Sequence, residues 1–388
     1  MIAAIDVGGC AIGPGHPCFI IAEAGVNHNG DVRLATALID AAIAARADAV
    51  KFQTFHAERT ISRHAPKAAY QLATTGATES QLDMVRRLQL PPEAFAELSA
   101  YCRSRGIMFL STAFDEDSAD LLDALDVPAF KIASGEVTNL PLVEHIARKG
   151  KPVLLSTGMS TLAEVGEAMD AIRRTGNTRV AVLHCVSNYP ADPVDANLRA
   201  MRTLADAFEA PVGYSDHTLG IDVALAAVAL GACVLEKHLT LDTALPGPDH
   251  RASLTPQEFA ALVRGVRIVE SALGSGRKEP APSERAVAAV ARRSLVAARD
   301  IEAGVTVTEE LIAAKRPGTG LAPAARAQLI GRRAKRDIPG DTLLTWEMFE
   351  DANEEVADAG LLERKLRASR QEAGTRRPEA EGESDRAV

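Results

Sequence analysis

The chain has 388 residues, 47% hydrophobic and only 4% aromatic, with a formal net charge of −9. That is ample apolar material for a large core and leaves room for more than one domain. The acidic balance excludes a general nucleic-acid binder, whose surface must attract phosphates. No apolar run approaches the roughly 20 residues that a membrane span needs, and the first residues show no basic, cleavable leader. The five cysteines, Cys10, Cys18, Cys102, Cys185 and Cys233, are odd in number and show no Cys-x-x-Cys spacing. We therefore expect a cytoplasmic protein with reduced thiols, no nucleic acid and no membrane.

Eight short apolar segments follow in chain order: FIIAEAGV from Phe19, AVKFQTF from Ala49, IMFLSTAF from Ile107, AFKIAS from Ala129, PVLLSTG from Pro152, VAVLHCVS from Val180, PVGYSDH from Pro211 and CVLEKHLT from Cys233. Near-continuous apolar runs of this length read as parallel strands buried on both faces. Between them lie Ala/Leu-rich stretches with helical periodicity, such as Leu34 to Arg46 and Pro92 to Arg105, the second stopped by Gly106. Eight strand-then-helix units predict a (β/α)8 TIM barrel over residues 1–278, with a doubly wound sheet as the alternative. One connection, from Phe55 to Ile107, is too long for a plain loop and predicts a lid or substrate loop after the second strand.

A Pro-rich, polar stretch then predicts a linker over 279–291, and a small β-rich domain over 292–350. Within that domain RDIEAGVTVTEEL from Arg299 and RDIPGDTLLTWEM from Arg336 form a pseudo-repeat. Residues 351–388 are charged and poor in large apolar side chains, which predicts a disordered tail.

Barrel chemistry sits at the C-terminal ends of the strands, and the polar residues crowd there. Glu23 ends the first strand. Lys51 and Gln53, two apart on the second, face the same way. Thr112 ends the third strand; Lys131, Ser134 and Glu136 the fourth; Ser156 the fifth; Asn188 and Tyr189 follow the sixth. A single strand-end Ser or Thr is most often a helix cap. Two lysines inside a barrel, however, need anionic partners. Glu23, Glu136 or Glu236 could serve, or the lysines and hydroxyls could bind a phosphate and a carboxylate. His217 and His238 lie at equivalent depths on consecutive strands, which are about 4.8 Å apart. Both imidazoles can reach one divalent ion, with Asp249 as a further oxygen; the bland alternative is a bond from His217 to Asp216 or Asp249.

IIAEAGVNHNG, VKFQTF, FKIASGE, LSTGMS, LHCVSNYP, GYSDHT and LEKHLTLD…GPDH occur in this order. The ordered set resembles the sialic acid synthase family, whose members make neuraminic, legionaminic and pseudaminic acids. RRSLVAARDI and AKRPGTGL resemble that family's C-terminal antifreeze-like (SAF) domain. The resemblance implies a phosphoenolpyruvate-dependent synthase that condenses phosphoenolpyruvate with an N-acylated amino sugar and water. The acceptor would be N-acetylmannosamine or a 2,4-diacetamido-trideoxy-mannose-type hexose, and the products a nine-carbon 2-keto acid and phosphate. It implies a divalent metal on His217 and His238, Mn2+ with Mg2+ or Co2+ as alternatives, that polarises the acceptor aldehyde. It places phosphoenolpyruvate near Lys51, Thr112, Lys131, Ser134, Ser156 and Asn188, and makes Glu136 a candidate acid/base. Glu23, Gln53, Tyr189 and Asp249 would line the sugar and water positions. It further implies a homodimer whose swapped SAF domain brings Arg316 to the neighbour's sugar.

Two other readings compete. One is a different phosphoenolpyruvate–aldose condensing enzyme on the same barrel, or the pseudaminic acid branch. The other is an ice-binding or structural protein, against which stand the basic surface of the small domain and the polar barrel mouth.

Overall fold

Parity along the strands decides what fills this barrel. The computed structural model describes residues 2–351, so the expectation for the charged tail lies outside the described residues apart from Asp351. The chain divides into two compact units, Met1–Gly276 and one beginning at Arg277.

In the first unit a hairpin, β1 (Ile5–Val7) and β2 (Cys10–Ile12), precedes the barrel. The barrel strands are β3 (Phe19–Gly25), β4 (Ala49–Thr54), β5 (Met108–Ala113), β6 (Phe130–Ile132), β7 (Val153–Ser156), β8 (Val180–Cys185), β9 (Val212–Asp216) and β10 (Val234–His238). They pair in sequence order, all parallel, and β10 closes on β3. The expected TIM barrel is therefore observed.

Alternate residues of each strand face the axis. At the N-terminal end these are apolar: Phe19, Ile21, Ala49, Leu110, Leu154, Leu183 and Val234 pack into one cluster. Two or four residues further on, the same faces carry Glu23, Lys51, Thr112, Lys131, Ser156, Glu236 and His238, which line a cavity. The hairpin plugs the apolar end, with Ile5, Val7 and Ile12 in that cluster. The sequence reading missed it, although Gly8-Gly9 marks a two-residue hairpin turn. Gly8 has φ +60°, and a Cβ there would come within 2.9 Å of Met108 Cε.

The outer faces of the strands pack on the helices in a second, larger core. Helix Pro92–Arg105 stops at Gly106, which takes the left-handed conformation, as read from sequence. The long connection after β4 is not a structureless loop. It folds into helices Ala57–Thr60, Ala69–Thr75 and Gln81–Leu88. Lys67 holds it together, with Nζ donating to Thr75 Oγ1 at 2.9 Å and Gly76 O at 3.1 Å.

In the second unit the stretch expected as a linker contains a 3-10 turn, Pro282–Glu284, and an exposed helix, Arg285–Ala291. Its Ala-rich composition favours helix, a propensity that the Pro-rich start of the segment masked. Beyond it β11 (Ser294–Ala297) pairs antiparallel with β12 (Ile312–Lys315). The pseudo-repeat pairs with itself. Ile301 and Ile338 exchange backbone hydrogen bonds at 2.9 and 2.8 Å. Asp337 accepts from Ala303 N and Asp300 from Gly340 N, each at 2.7 Å. Arg-Asp-Ile is thus a local two-fold lock over a small core that includes Leu295, Ile301, Ile338 and Phe349.

Candidate active site

The polar ends of the barrel strands converge on a cavity of about 420 Å³. Its floor is an ion cluster. Lys51 Nζ lies 2.7 Å from Glu23 Oε2 and 3.6 Å from Glu236 Oε2, and donates to Thr112 Oγ1 at 2.8 Å. Lys131 Nζ has Glu236 Oε1 at 3.4 Å as its carboxylate among the described residues. Strand register explains the proximity, because Glu23 pairs with Lys51 and Thr112 with Lys131 on neighbouring strands.

The charges are unequal. Burial works to lower the Lys51 ammonium's pKa, but the two carboxylates outweigh it and hold it above the usual lysine value. Lys131, with one carboxylate, is pushed down by burial. Burial also opposes the Glu236 carboxylate, yet Lys131 and Lys51 bring it down to about 2. Glu23 moves the other way: burial raises its carboxyl, and Lys51 only partly offsets this. Ser156 Oγ is buried with no partner, and Ser134 Oγ accepts from Gly158 N at 2.9 Å. Gly158 lets these groups approach, since a Cβ there would lie 2.3 Å from Ser187 Oγ and 3.0 Å from Ser134 Oγ. The floor therefore matches two lysines with two carboxylates, one of which, Glu23, burial drives toward its neutral form, and sets hydroxyls around them, groups that can donate to an anion.

Beside the floor stand the two histidines, ring centroids 5.4 Å apart. His217 Nδ1 donates to Val186 O at 2.6 Å, because a carbonyl only accepts. In the neutral ring that fixes the tautomer and leaves the Nε2 lone pair for a ligand; burial favours that form, but Cys185 and the Val186 carbonyl outweigh it and raise the imidazole above its usual pKa. His238 Nδ1 is buried without a partner, and burial, then His217, holds the imidazole well below its usual pKa. Tyr189 closes over both, its ring 4.0 Å from His217 and 5.6 Å from His238, and Tyr70 packs 5.0 Å from Tyr189. Asp249 lines the same cavity, and burial raises its carboxyl to about 6 against the opposing pull of His217. Gln53 Nε2 donates to Glu23 Oε1 at 3.1 Å.

Of the residues named from sequence, eleven line this one cavity: Glu23, Lys51, Gln53, Thr112, Lys131, Ser134, Ser156, Tyr189, His217, His238 and Asp249. Three are elsewhere. Glu136 sits half-buried on the turn Ser134–Glu136, accepting from Asn139 Nδ2 at 2.8 Å. Asn188 is exposed, with Oδ1 accepting from Tyr189 N. Arg316 is exposed in the loop after β12, in the second unit.

Sequence reasoning named Glu236 only as a charge partner, yet it touches both lysines; its spacing of two from His238 was the available signal. Sequence reasoning took Cys185 only as one of five reduced thiols. It lines the cavity and lies 3.9 Å from His217 Nδ1. Burial opposes its ionisation, but His217, Ser134 and Lys131 bring the thiol down to about 7.

A closed parallel barrel with its buried charged and polar side chains gathered at the C-terminal strand ends is the architecture of a (β/α)8 enzyme. The chain belongs to the NeuB family, which it matches over residues 38–278; residues 292–350 match the SAF domain. It is 48% identical over 337 residues to the N,N'-diacetyllegionaminic acid synthase of Legionella pneumophila, covering 86% of this chain and 95% of that one. The pseudaminic acid synthase of Helicobacter pylori is 33% identical over 336 residues, covering 86% and 98%. Among solved structures, an N-acetylneuraminic acid synthetase from Leptospira borgpetersenii, in complex with citrate, superposes with a TM-score of 0.67. Its identity is 36%, over 74% of this chain and 95% of that chain.

Proposed function

We propose that this chain condenses phosphoenolpyruvate with an N-acylated amino sugar and water, releasing a nine-carbon 2-keto acid and phosphate. The observation that carries this reading is the floor: two buried lysines, one of them with a single carboxylate at 3.4 Å, beside an unpartnered Ser156 hydroxyl. Lys51 and Lys131 would hold the phosphate and carboxylate of phosphoenolpyruvate, with Thr112, Ser134 and Ser156 donating to their oxygens. Preorganised donors in a buried site stabilise developing charge without reorganising. Glu23, whose burial favours the protonated form, is the carboxyl placed to move a proton there. Glu136 and Asn188, outside the cavity wall, would serve only if their loops move inward.

The residues present fit a divalent ion. His217 offers one imidazole lone pair and His238 has a buried nitrogen without a partner. Among the described residues no group of three or more His, Cys, Asp or Glu is arranged to hold a metal, so water and substrate oxygens would complete the shell. When bound, the ion, Mn2+ with Mg2+ or Co2+ as alternatives, supplies Lewis acidity toward the acceptor aldehyde. Tyr189, Tyr70 and Gln53 orient the acceptor, and the two phenol rings exclude water from it.

The cavity wall near the insert after β4 carries an apolar patch beside the polar Thr60, Gln71 and Gln81. Val26, Phe55, Met84 and Leu88 form one cluster and line the cavity. Such a patch suits a terminal methyl, which needs no hydrogen-bond partner, better than a hydroxymethyl group, whose hydroxyl costs about 1–3 kcal/mol if buried without one. This and the 48% identity to a diacetyllegionaminic acid synthase favour a 2,4-diacetamido-trideoxy hexose over N-acetylmannosamine. The test is turnover with both sugars and phosphoenolpyruvate carrying 18O in its bridging position. We expect the trideoxy sugar to give the higher kcat/KM. We expect the label to leave with phosphate, as attack of water on C2 requires. Label retained in the keto acid would show P–O cleavage and sink the mechanism.

Homodimerisation with a swapped SAF domain completes the reading, with Arg316 on the neighbour's sugar. His217→Ala disables a barrel and Arg316→Ala a cap, so a mixed dimer has one sound site only if caps are exchanged. Co-expression of the two variants should restore activity; mixed dimers without recovery would show that each cap serves its own barrel. No described helix is long and apolar enough to cross a membrane.

A further inference from the structure

A fully buried ion pair lies on the outside of the barrel wall, one residue away from each of the two histidines. Asp216 and Lys237 are register partners on β9 and β10. Lys237 Nζ is 2.6 Å from Asp216 Oδ2, with both side chains at 0% exposure. The same ammonium donates to Thr218 O at 2.5 Å. Asp216 Oδ1 accepts from Thr218 N at 2.9 Å and from Thr218 Oγ1 at 2.8 Å. His217 is thus bracketed: the residue before it and the residue after it are tied to one pair of charges. His238 follows directly on Lys237.

Neither charge touches the cavity. Parity sends their side chains outward, toward the layer under helix Pro256–Leu273, as it sends His217 and His238 inward. For stability alone the arrangement is a poor choice. A buried ion pair can usually be replaced by apolar residues of similar size with no loss, whereas its directional bonds fix geometry. What those bonds fix here is the spacing of two adjacent strand ends and the backbone on both sides of His217. Other contacts complete the frame: Ala191 N donates to His217 O and Leu254 N to His238 O, each at 2.9 Å.

We propose that Asp216 and Lys237 are positioning residues that hold the His217 and His238 imidazoles at the separation a single divalent ion demands. The inference rests on the reading of that histidine pair as metal ligands. It makes the strand pair a rigid mount, so that metal affinity depends on residues no ligand touches. Groups bonded directly to a ligating imidazole change metal affinity by about 10–100-fold when removed, and a mount one residue away belongs at the lower end of that range.

The test is Mn2+ binding to the purified full chain, without phosphoenolpyruvate or sugar, followed by electron paramagnetic resonance of the free ion. The variant is Asp216→Asn with Lys237→Met, which removes both charges together and keeps an acceptor for Thr218. The control is Arg267→Met, which cuts the ion pair with Asp48 and the bond to Cys18 O at the opposite end of the strands. We expect the double variant to melt close to the parent and to bind Mn2+ at least about tenfold more weakly, with the control unchanged. Equal affinity of parent and double variant would overturn the positioning role and leave the histidine reading standing. An equal drop in the control would reduce the effect to general destabilisation and overturn it too. Absence of binding in the parent would instead remove the histidine reading, and the inference with it. Should the double variant not fold, Asp216→Asn alone carries the same comparison.

Discussion

Lys131→Met should lower kcat/KM about a thousandfold while leaving the melting temperature near that of the parent. The asymmetry of the floor dictates both halves of this result. Lys131 has one carboxylate at 3.4 Å, and that carboxylate, Glu236, keeps Ser215 Oγ at 2.9 Å and Lys51 at 3.6 Å when Lys131 is gone. No charge is left without a partner, and methionine fills a similar volume. What disappears is the cation least committed to the protein and so most available to an anionic substrate. Removing one preorganised donor to developing charge typically costs about 100–1,000-fold, and a full charge belongs at the upper end. Lys51→Met should behave differently. It strips Glu23 of its 2.7 Å partner in a fully buried position, and breaking a buried pair from one side costs about 3–5 kcal/mol. That variant should lose stability as well as activity. Urea unfolding and steady-state kinetics on the two proteins check the contrast. Equal stability losses would mean that the lysines are interchangeable structural counter-ions, and an active Lys131→Met protein would remove the anion site.

The barrel was legible because its inner and outer strand faces are both buried, which writes each strand as an uninterrupted apolar run. The floor was legible for a related reason: a charged residue in such a run has nowhere to go but the axis. Parity then collects Glu23, Lys51, Lys131 and Glu236 at one depth. Less could be read where the chain leaves the strands. Glu136 and Asn188 follow strand ends by a few residues, and turn geometry, not parity, sets their direction; one bonds Asn139 and the other its own neighbour's backbone. The hairpin Ile5–Ile12 escaped notice because three-residue strands carry almost no periodicity. Cys185 was overlooked since a cysteine in an apolar strand looks like any small core residue, although Ala181, Leu183 and Cys185 share the inward parity. The helices after β4 hide for another reason. None exceeds eight residues, and helices that short owe their existence to packing rather than propensity.

His238→Ala should abolish measurable turnover and do so without unfolding the barrel. The imidazole's Nδ1 is buried with no hydrogen-bond partner, so truncation breaks no bond within the protein and relieves an unsatisfied polar atom. A core histidine retained for stability would be bonded, as His250 is to Thr240 Oγ1 at 2.7 Å. The loss should therefore fall on ligand binding. If the pair holds the ion that activates the acceptor, removal forfeits several kcal/mol of transition-state stabilisation, and each 1.36 kcal/mol is about tenfold in rate. Chelation of the parent should reproduce the effect, and added Mn2+ should reverse it in the parent but not in the variant. His28→Ala is the control. Its Nε2 is also buried and unpartnered, and although its Nδ1 accepts from Gly30 N at 3.0 Å, it lies outside the cavity wall, so its loss should leave the response to Mn2+ intact. A chelated parent at full activity would mean that the two imidazoles act without an ion, as donors to the substrate. A His238→Ala protein that Mn2+ still rescues would place the ion elsewhere.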